Sequence, residues 1–497
     1  MAFGALGAIS GLTEDETAIL SELWKTWLTK LRRNTLRATY YDHKNILKDL
    51  GIAIPPHLTN IEAALGWPAK AVDVLTRRCK LERFTTTAEG DPLGIEPMLQ
   101  DNDWAMVLPQ VLTSTFVHSC SFLMATQGDT SAGEPEVLIS TQSAMYASGL
   151  WDYRLRRLKA VFSVTNMDPM GRVTEWLMFL PRMTIRGVWD RHWAIHRYPH
   201  TLDRLPVEVL PYAPRLDRPF GKSRITRSVM SLTDSALRTL VRMEVGAEFF
   251  SSPQRWIMGA DESMFQDADG KKVSQWTALI GRIWAAPVDS ENPDAPLPQV
   301  GQFNAASPTP HTEQLRTLAA MFASETSLPL SELGIVHENP SSAEAIEAAE
   351  RSLIIEAKHT MDTSFTPRLV RFMQTCLQIR DGWDEMPDEV RNLGARWSKP
   401  ENPPASVATD SMVKLLAAVP RLADSDIPFE MLDWDDATIK RARADMRRAD
   451  TRSIIQRLTN GAANGDIANG AAVPTPPGAT GSEQGPANAM ESGGEAL

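Results

Sequence analysis

Apolar residues recur at three- and four-residue steps near the start of the chain: Leu20, Leu23, Trp24, Trp27, Leu28 and Leu31. That spacing lays one apolar stripe along a helix and predicts helix over 13–50. Thr13, with Glu16 three residues on, has the form of a capping box. "YYDHKNILKDLGIAIPPHL" (40–58) turns through Gly51 and the Pro55-Pro56 pair, and 59–79 reads as helix on both sides of a Gly-Trp-Pro break. Residues 103–117 read as a helix capped by Asp103. Between about 120 and 200 the period shortens. "SFLMATQG", "EVLISTQ", "KAVFSVTN" and "VTEWLMFLP" are short apolar runs parted by "GDTSAGEP" and "MDPMGR", which is strand and turn chemistry. Residues 205–225 are Pro-rich and read as a connector.

The helical period then returns. Ile225, Val229, Leu232, Ala236, Leu240, Met243 and Ala247 step along one long helix that ends at "SSP" (251–253). Residues 254–309 read as a compact insertion with Trp256, Trp276, Trp284 and a "DADGKK" turn. A second helix is expected with Thr309 as cap and Pro310 as its first residue. Its apolar face is Leu315, Leu318, Ala319 and Phe322. "LPLSELGIVHE" (328–338) is more apolar than an ordinary solvated loop. It leads into "NPSSAEAIEAAE" (339–350), where Ser341 and Glu344 can box a helix running 342–380, kinked where Pro367 removes a donor. After the linker 398–405, residues 406–458 read as helices. Residues 460–497 are Gly, Ala, Pro, Ser and Glu with few large apolar side chains and are expected to be disordered.

Length and composition add bounds. A chain of 497 residues holds about two to four structural units, and 43% hydrophobic residues suffice for a substantial core. The formal net charge of -11 argues against a protein that grips nucleic acid over its whole surface, though not against one that lets it pass. Three cysteines, Cys79, Cys120 and Cys376, lie far apart with no CxxC pair, so buried thiols are expected rather than disulfides or a zinc site. No run approaches the roughly 20 apolar residues of a membrane helix, and the N-terminus lacks a basic leader region.

Candidate chemistry is thin. "FGKS" (220–223) resembles the end of a phosphate-binding loop, but the earlier Gly that such a loop requires is Leu216, and Pro219 removes a donor. The simpler reading is a turn opening the long helix with Ser223 as cap. His192, His196 and His200 are spaced four apart. Their neighbours Trp193, Ile195 and Tyr198 favour a strand, in which such positions lie roughly 13 Å apart, too far for one ion. The pair Asp435-Asp436 fits a helix start. "KRARADMRRADTR" (440–452) is interleaved with Asp445 and Asp450 and reads as a salt-bridged surface helix rather than a nucleic-acid patch. No catalytic residue, metal site or cofactor site is indicated.

The order of these parts resembles the portal proteins of long-tailed bacteriophages, especially of phages that infect actinobacteria. Four stretches carry the likeness: "LRATYYDHKNILKDLGIAIPPHLTNIEAALGWPAKAVDVLTRR" (36–78), "FGKSRITRSVMSLTDSALRTLVRMEVGAEFFSSPQRW" (220–256), "LPLSELGIVHENPSSAEAIEAAERSLI" (328–354), and "MVKLLAAVP" with "IPFEMLDWDDATIKRARADMRR" (412–448). One departure is His43, where relatives often carry Gly after Tyr-Tyr-Asp. The resemblance implies an α+β, mostly helical portal fold assembling as a homo-oligomeric ring, usually of about twelve subunits, around a central channel. It implies a wing (1–222 and 342–400, the latter a long kinked helix), stem helices 223–251 and 310–327, a clip (252–309), a tunnel loop (328–341), a crown (401–459) and a disordered tail (460–497). Channel candidates are Ile335, Val336, His337, Glu338 and Asn339 in the tunnel loop and Asp234, Arg238, Arg242 and Glu244 in the stem. Trp256, Trp276 and Trp284 are clip-interface candidates.

The implied function is a non-enzymatic head–tail connector at one capsid vertex in the virion, assembled in the host cytoplasm. It would be the channel for genome packaging and ejection. Implied partners are double-stranded DNA, the large terminase, head–tail adaptor proteins, and the major capsid and scaffolding proteins, with no membrane and no cofactor. A mostly acidic channel would repel phosphate and keep DNA from sticking. The alternative from another class is a metal-dependent nucleic-acid-processing enzyme that uses its Asp and Glu clusters.

Overall fold

The computed structural model describes residues 9–46, 63–86, 91–250, 255–258, 299–302, 307–335, 343–401, 405–432, 434 and 436–465. In chain order these form α1 (Glu14–Tyr41), α2 (Trp67–Arg78), β1 (Leu81–Thr85), α3 (Ile95–Asp101), α4 (Trp104–His118), β2 (Cys120–Gln127), β3 (Val137–Ser143), β4 (Ala147–Asp152), β5 (Arg157–Met167), β6 (Val173–Leu180), β7 (Met183–Asp190), β8 (His192–Pro199) and β9 (Val207–Pro211). Then come α5 (Arg227–Phe250), β10 (Arg255–Met258), β11 (Gln299–Gln302), α6 (Thr309–Thr326), α7 (Ala343–Thr360), α8 (Thr366–Asp381), α9 (Asp388–Arg391) and β12 (Gly394–Trp397). The chain divides into two compact units, 1–402 and 403–497.

The first unit is layered, and period-two alternation builds the layers. β4 to β8 form a five-stranded antiparallel meander. Ala160, Phe162 and Val164 of β5, with Trp176 and Met178 of β6, point to one face, where Leu20, Leu23, Trp24 and Trp27 of α1 cover them. Val161 and Phe179 point to the other face and meet Phe122, Met124, Val207 and Val209 of the three-stranded sheet β3-β2-β9. The opposite face of β2, through Leu123 and Ala125, joins the largest core, built with α2, α4, α7 and α8. Buried polar groups of α1 fix its register on the sheets. Trp27 Nε1 donates to the Met145 carbonyl at 2.7 Å and Asn34 Nδ2 to the Ala144 carbonyl at 2.8 Å. Opposite Trp176 in the β6–β7 register stands Gly187, whose place a Cβ could not share, being 2.3 Å from the indole.

The structure corrects several boundaries. The capping box at Thr13 is present, but α1 ends at Tyr41. The following turn places His43 at φ 58°, the left-handed conformation that Gly adopts most readily. Residues 63–65 are not helical, and α2 starts after Gly66. Asp103 occupies the N-cap position of α4 at φ 49° but makes no side-chain cap bond. The Pro-rich connector contains β9, the edge strand of the three-stranded sheet, because only its last residue is a proline. Ser223 is not the cap of α5. Its hydroxyl is buried and donates to the Val117 carbonyl at 2.6 Å, while Thr226 accepts from the Val229 amide at 3.2 Å. α6 begins at Thr309 with Pro308 before it, so Pro310 is the second helical residue. The predicted kink is a π-helical turn, Met361–Phe365, lying before Pro367, whose ring excludes an ordinary fourth-residue bond.

The second unit contains α10 (Ala405–Ala418), α11 (Ile427–Met431) and α12 (Asp436–Gly465). Helix α12 extends over residues 460–465, which the sequence reading assigned to the tail. Within this unit Phe429 and Trp434 stack at 5.2 Å, the Arg443 guanidinium lies 5.1 Å from the Phe429 ring centre, and Arg443 pairs with Asp426 at 2.9 Å.

Candidate functional site

Helices α5 and α6 pack together as an antiparallel pair, with Thr226 at the start of α5 donating to Glu325 at the end of α6 at 3.3 Å. At about 1.5 Å per residue the 24 residues of α5 span about 36 Å. Between the far ends of the two helices lie β10 and β11, an antiparallel pair. Burial is concentrated at the root. Val229, Ala236 and Leu237 of α5 and Ala319, Phe322 and Ala323 of α6 are buried, and Phe322 packs on Trp67 of α2 with ring centres 5.3 Å apart. Farther out, Arg242, Glu244 and Ala247 are exposed and Leu240 and Met243 are half-buried, while at the root Met321 on the outer face of α6 is 53% exposed.

One buried arginine ties this root to the body. Arg224, 4% exposed, donates from Nε to the Ala71 carbonyl of α2 at 2.5 Å and from Nη2 to the Thr326 carbonyl at the C-terminus of α6 at 2.5 Å. Its Nη1 donates to the Tyr212 hydroxyl at 3.2 Å and pairs with Glu356 of α7. Tyr212 in turn donates to Glu356. The cation therefore meets an orphan carbonyl at a helix C-terminus, where positive charge is favoured, and a carboxylate. Burial lifts the Tyr212 phenol above its ordinary range, with Glu356 reinforcing the shift and Arg224 opposing it.

The segment after α6 is held tightly up to residue 335. Leu328 is buried, Leu330–Leu333 make a 3-10 turn ended by Gly334 at φ 80°, and Ile335 packs against the helical core. Lys70 of α2 pairs with Glu332 at 3.3 Å. Where the chain is described again, Arg78 of α2 pairs with Glu350 of α7 at 2.8 Å and donates to the Pro400 carbonyl at 2.6 Å. Both flanks of residues 336–342 are thus tied to one helix, at positions about 12 Å apart.

The candidates named from sequence fall in different settings. Asp234 accepts both Tyr40 contacts (2.9 and 2.8 Å) and one from Asn45 at 3.3 Å, so its carboxylate is engaged within the chain. Arg238 donates to the Ser235 hydroxyl at 2.8 Å. Trp256 lies in β10. Val336, His337, Glu338, Asn339, Trp276 and Trp284 lie outside the described residues, as do Ser341 and the "DADGKK" turn. His192 and His196 are on strand β8, and among the described residues no group of three or more His, Cys, Asp or Glu could hold a metal ion. All three cysteines are free and buried, and burial pushes the Cys79 and Cys120 thiols up to about 12. No described helix is long and apolar enough to cross a membrane. Sequence reasoning missed the Arg224 joint. Its signal was the arginine that follows "FGKS", a stretch read as a turn opening the long helix in preference to a phosphate loop.

No protein-family model matches the chain. The chain is similar to the portal protein of Mycobacterium phage L5, with 28% identity over 454 residues covering 88% of this chain and 89% of the phage protein. It is also similar to the portal protein of Mycobacterium phage D29, with 27% identity over 434 residues covering 82% and 85%. Among solved structures, a chain from the virion of a native gene transfer agent particle gives a TM-score of 0.41 at 12% identity, covering 73% of this chain and 89% of that one. A chain from the neck of the native particle, computed with C12 symmetry, gives 0.40 at 12% identity over the same shares.

Proposed function

We propose that this chain is a portal subunit: it assembles head to tail into a ring that forms a DNA channel at one vertex of a phage capsid. The observation that carries this reading is the likeness to two portal proteins over more than four-fifths of the chain. The nucleic-acid-processing alternative draws no support from either relative.

The geometry supplies a physical rationale. An α5–α6 pair rooted by Arg224 is a stiff lever, and its outer half carries apolar side chains that this chain alone leaves half-covered. In a ring, the same pair from a neighbouring subunit would cover them, which makes α5 and α6 the stem of the channel. Residues 252–309 would then be the clip that meets terminase and adaptor, the layered body the wing, and 401–459 the crown. The described flanks of 336–342 are tied to α2, which supports placing this segment at the channel. With -11 formal charges per chain, a ring would repel phosphate on average rather than bind it with salt-dependent affinity.

Removing residues 336–338 tests the tunnel assignment. Rings should still form, because Ile335 and the Lys70–Glu332 tie are kept, while DNA packaging into purified heads should fall sharply. Wild-type packaging in that deletion would refute the loop's role at the channel.

A further inference from the structure

The body carries a cavity of about 540 Å³ whose lining holds five Lys or Arg side chains and one carboxylate. Lys30, Arg33 and Arg37 project from α1, and Arg218 and Lys222 come from the turn before α5. The floor is apolar, through Phe122, Phe220 and Ala147, as befits a site that desolvates what enters it. Asp217 is the one carboxylate lining the cavity, and it is already held by Arg215 at 2.8 Å and Arg218 at 3.7 Å. Among the described residues, Lys30, Arg33 and Lys222 have no ion-pair partner, and Arg37 finds only the His118 carbonyl at 3.3 Å. Burial, and then the charges of Arg33, Arg218 and Arg37, hold the Lys30 ammonium below its ordinary range; burial and Arg33 bring Arg37 down to about 10. Like charges crowded together repel one another, and an opposing anion would relieve that repulsion.

The same unit has the complementary surface. "DGWDEMPDE" (381–389) places five carboxylates in nine residues. Asp381 pairs with Arg380 and Asp388 with Arg391, but the exposed Asp384, Glu385 and Glu389 have no partner among the described residues. This loop cannot reach its own pocket. Helices α4 and α8 run antiparallel: Phe116 meets Phe365 at 5.9 Å and Trp104 stacks on Phe372 at 6.4 Å. The pocket includes His118 at the C-terminal end of α4, whereas the loop follows the far end of α8, about 24 Å along its 16 residues. A positive pocket at one end and a negative loop at the other is the arrangement a head-to-tail contact uses, because each copy offers the partner what it lacks.

We propose that the Lys30–Arg33–Arg37–Arg218–Lys222 pocket receives the acidic loop 381–389 of a second copy of this chain. The inference rests on the ring reading above and names a charged contact by which subunits choose their neighbours.

The test is a charge exchange, read by light scattering behind size exclusion on the full chain, with circular dichroism as the folding control. Lys30→Glu with Arg33→Glu, and separately Asp384→Lys with Glu385→Lys, should each weaken assembly roughly tenfold or more while the chain stays folded. Mixing the two variants one to one, which restores opposite charges at every contact of a ring in which they alternate, should return the large species. Carrying all four changes on one chain should also restore it. If the wild-type chain never assembles, the ring reading fails and this contact with it. If the wild type assembles and the loop variant assembles equally well, the contact alone is refuted. Failure of the mixed and fourfold variants to recover would likewise refute it.

Discussion

Lys222 and Arg224 are two residues apart and end in opposite situations. Arg224 is closed in: four partners from α2, α6, α7 and Tyr212 engage all three of its guanidinium nitrogens. Lys222 and Arg218 open onto a cavity where cations outnumber the single carboxylate. Between them Gly221 turns the chain at φ 70°, and a Cβ there would lie 2.1 Å from the Tyr212 carbonyl oxygen. The contrast separates two uses of positive charge. A cation whose every nitrogen is engaged inside the chain fixes a joint; cations without an ion-pair partner among the described residues, beside an apolar floor, are free to meet a partner's anion.

The comparison can be broken most forcefully at Arg224. Arg224→Met would leave Glu356 without its countercharge and two carbonyls without the guanidinium, and should cost about 3–5 kcal/mol in denaturant unfolding. Arg224→Lys should recover only part of that, since an ammonium cannot reproduce the fork. Next comes His118 at the pocket wall, whose imidazole is brought down to about 4 by burial and then by Arg37. The unfolded chain, with its ordinary histidine near 6.5, takes up the proton first. His118 therefore contributes stability above pH 6.5 that is lost as pH falls towards 4, with a limit of roughly 3 kcal/mol. His118→Gln should flatten that part of the acid profile in urea titrations at pH 7 and pH 4.5.

Gly221→Ala would push a methyl into the Tyr212 backbone in a left-handed turn and should cost about 1–3 kcal/mol, measured as a lowered melting temperature. Smallest of all, Arg33→Met should change unfolding stability by no more than about 0.5 kcal/mol, because its exposed guanidinium has no partner among the described residues. A loss at Arg33 as large as that at Arg224 would erase the distinction between the joint and the open pocket.

How much of this was legible in the sequence depends on how local the signal is. The α1 stripe, the capping box at Thr13 and the paired runs of β2, β3, β5 and β6 carry their own periodicity, and the structure keeps them. Strand β9 was hidden because Pro206 and Pro211 bracket a run of only four residues. Ser223 was misread because a serine before a helix looks like a cap, whereas its hydroxyl bonds are to α4, over a hundred residues earlier. Arg224, the cation cluster and the loop 381–389 are brought together or set apart only by the tertiary fold. The antiparallel run of α4 and α8, which places pocket and loop at opposite ends, has no signature in a linear pattern. The resemblance to portal proteins was legible because it rests on contiguous stretches, and the two mycobacteriophage proteins bear it out.

The central claim is most directly tested by imaging the purified full-length chain in negative stain together with its mass in solution. A portal subunit predicts closed rings with a central hole, rotational symmetry and a mass that is an integer multiple of the chain, near twelve. A compact monomer that persists at high protein concentration would contradict it.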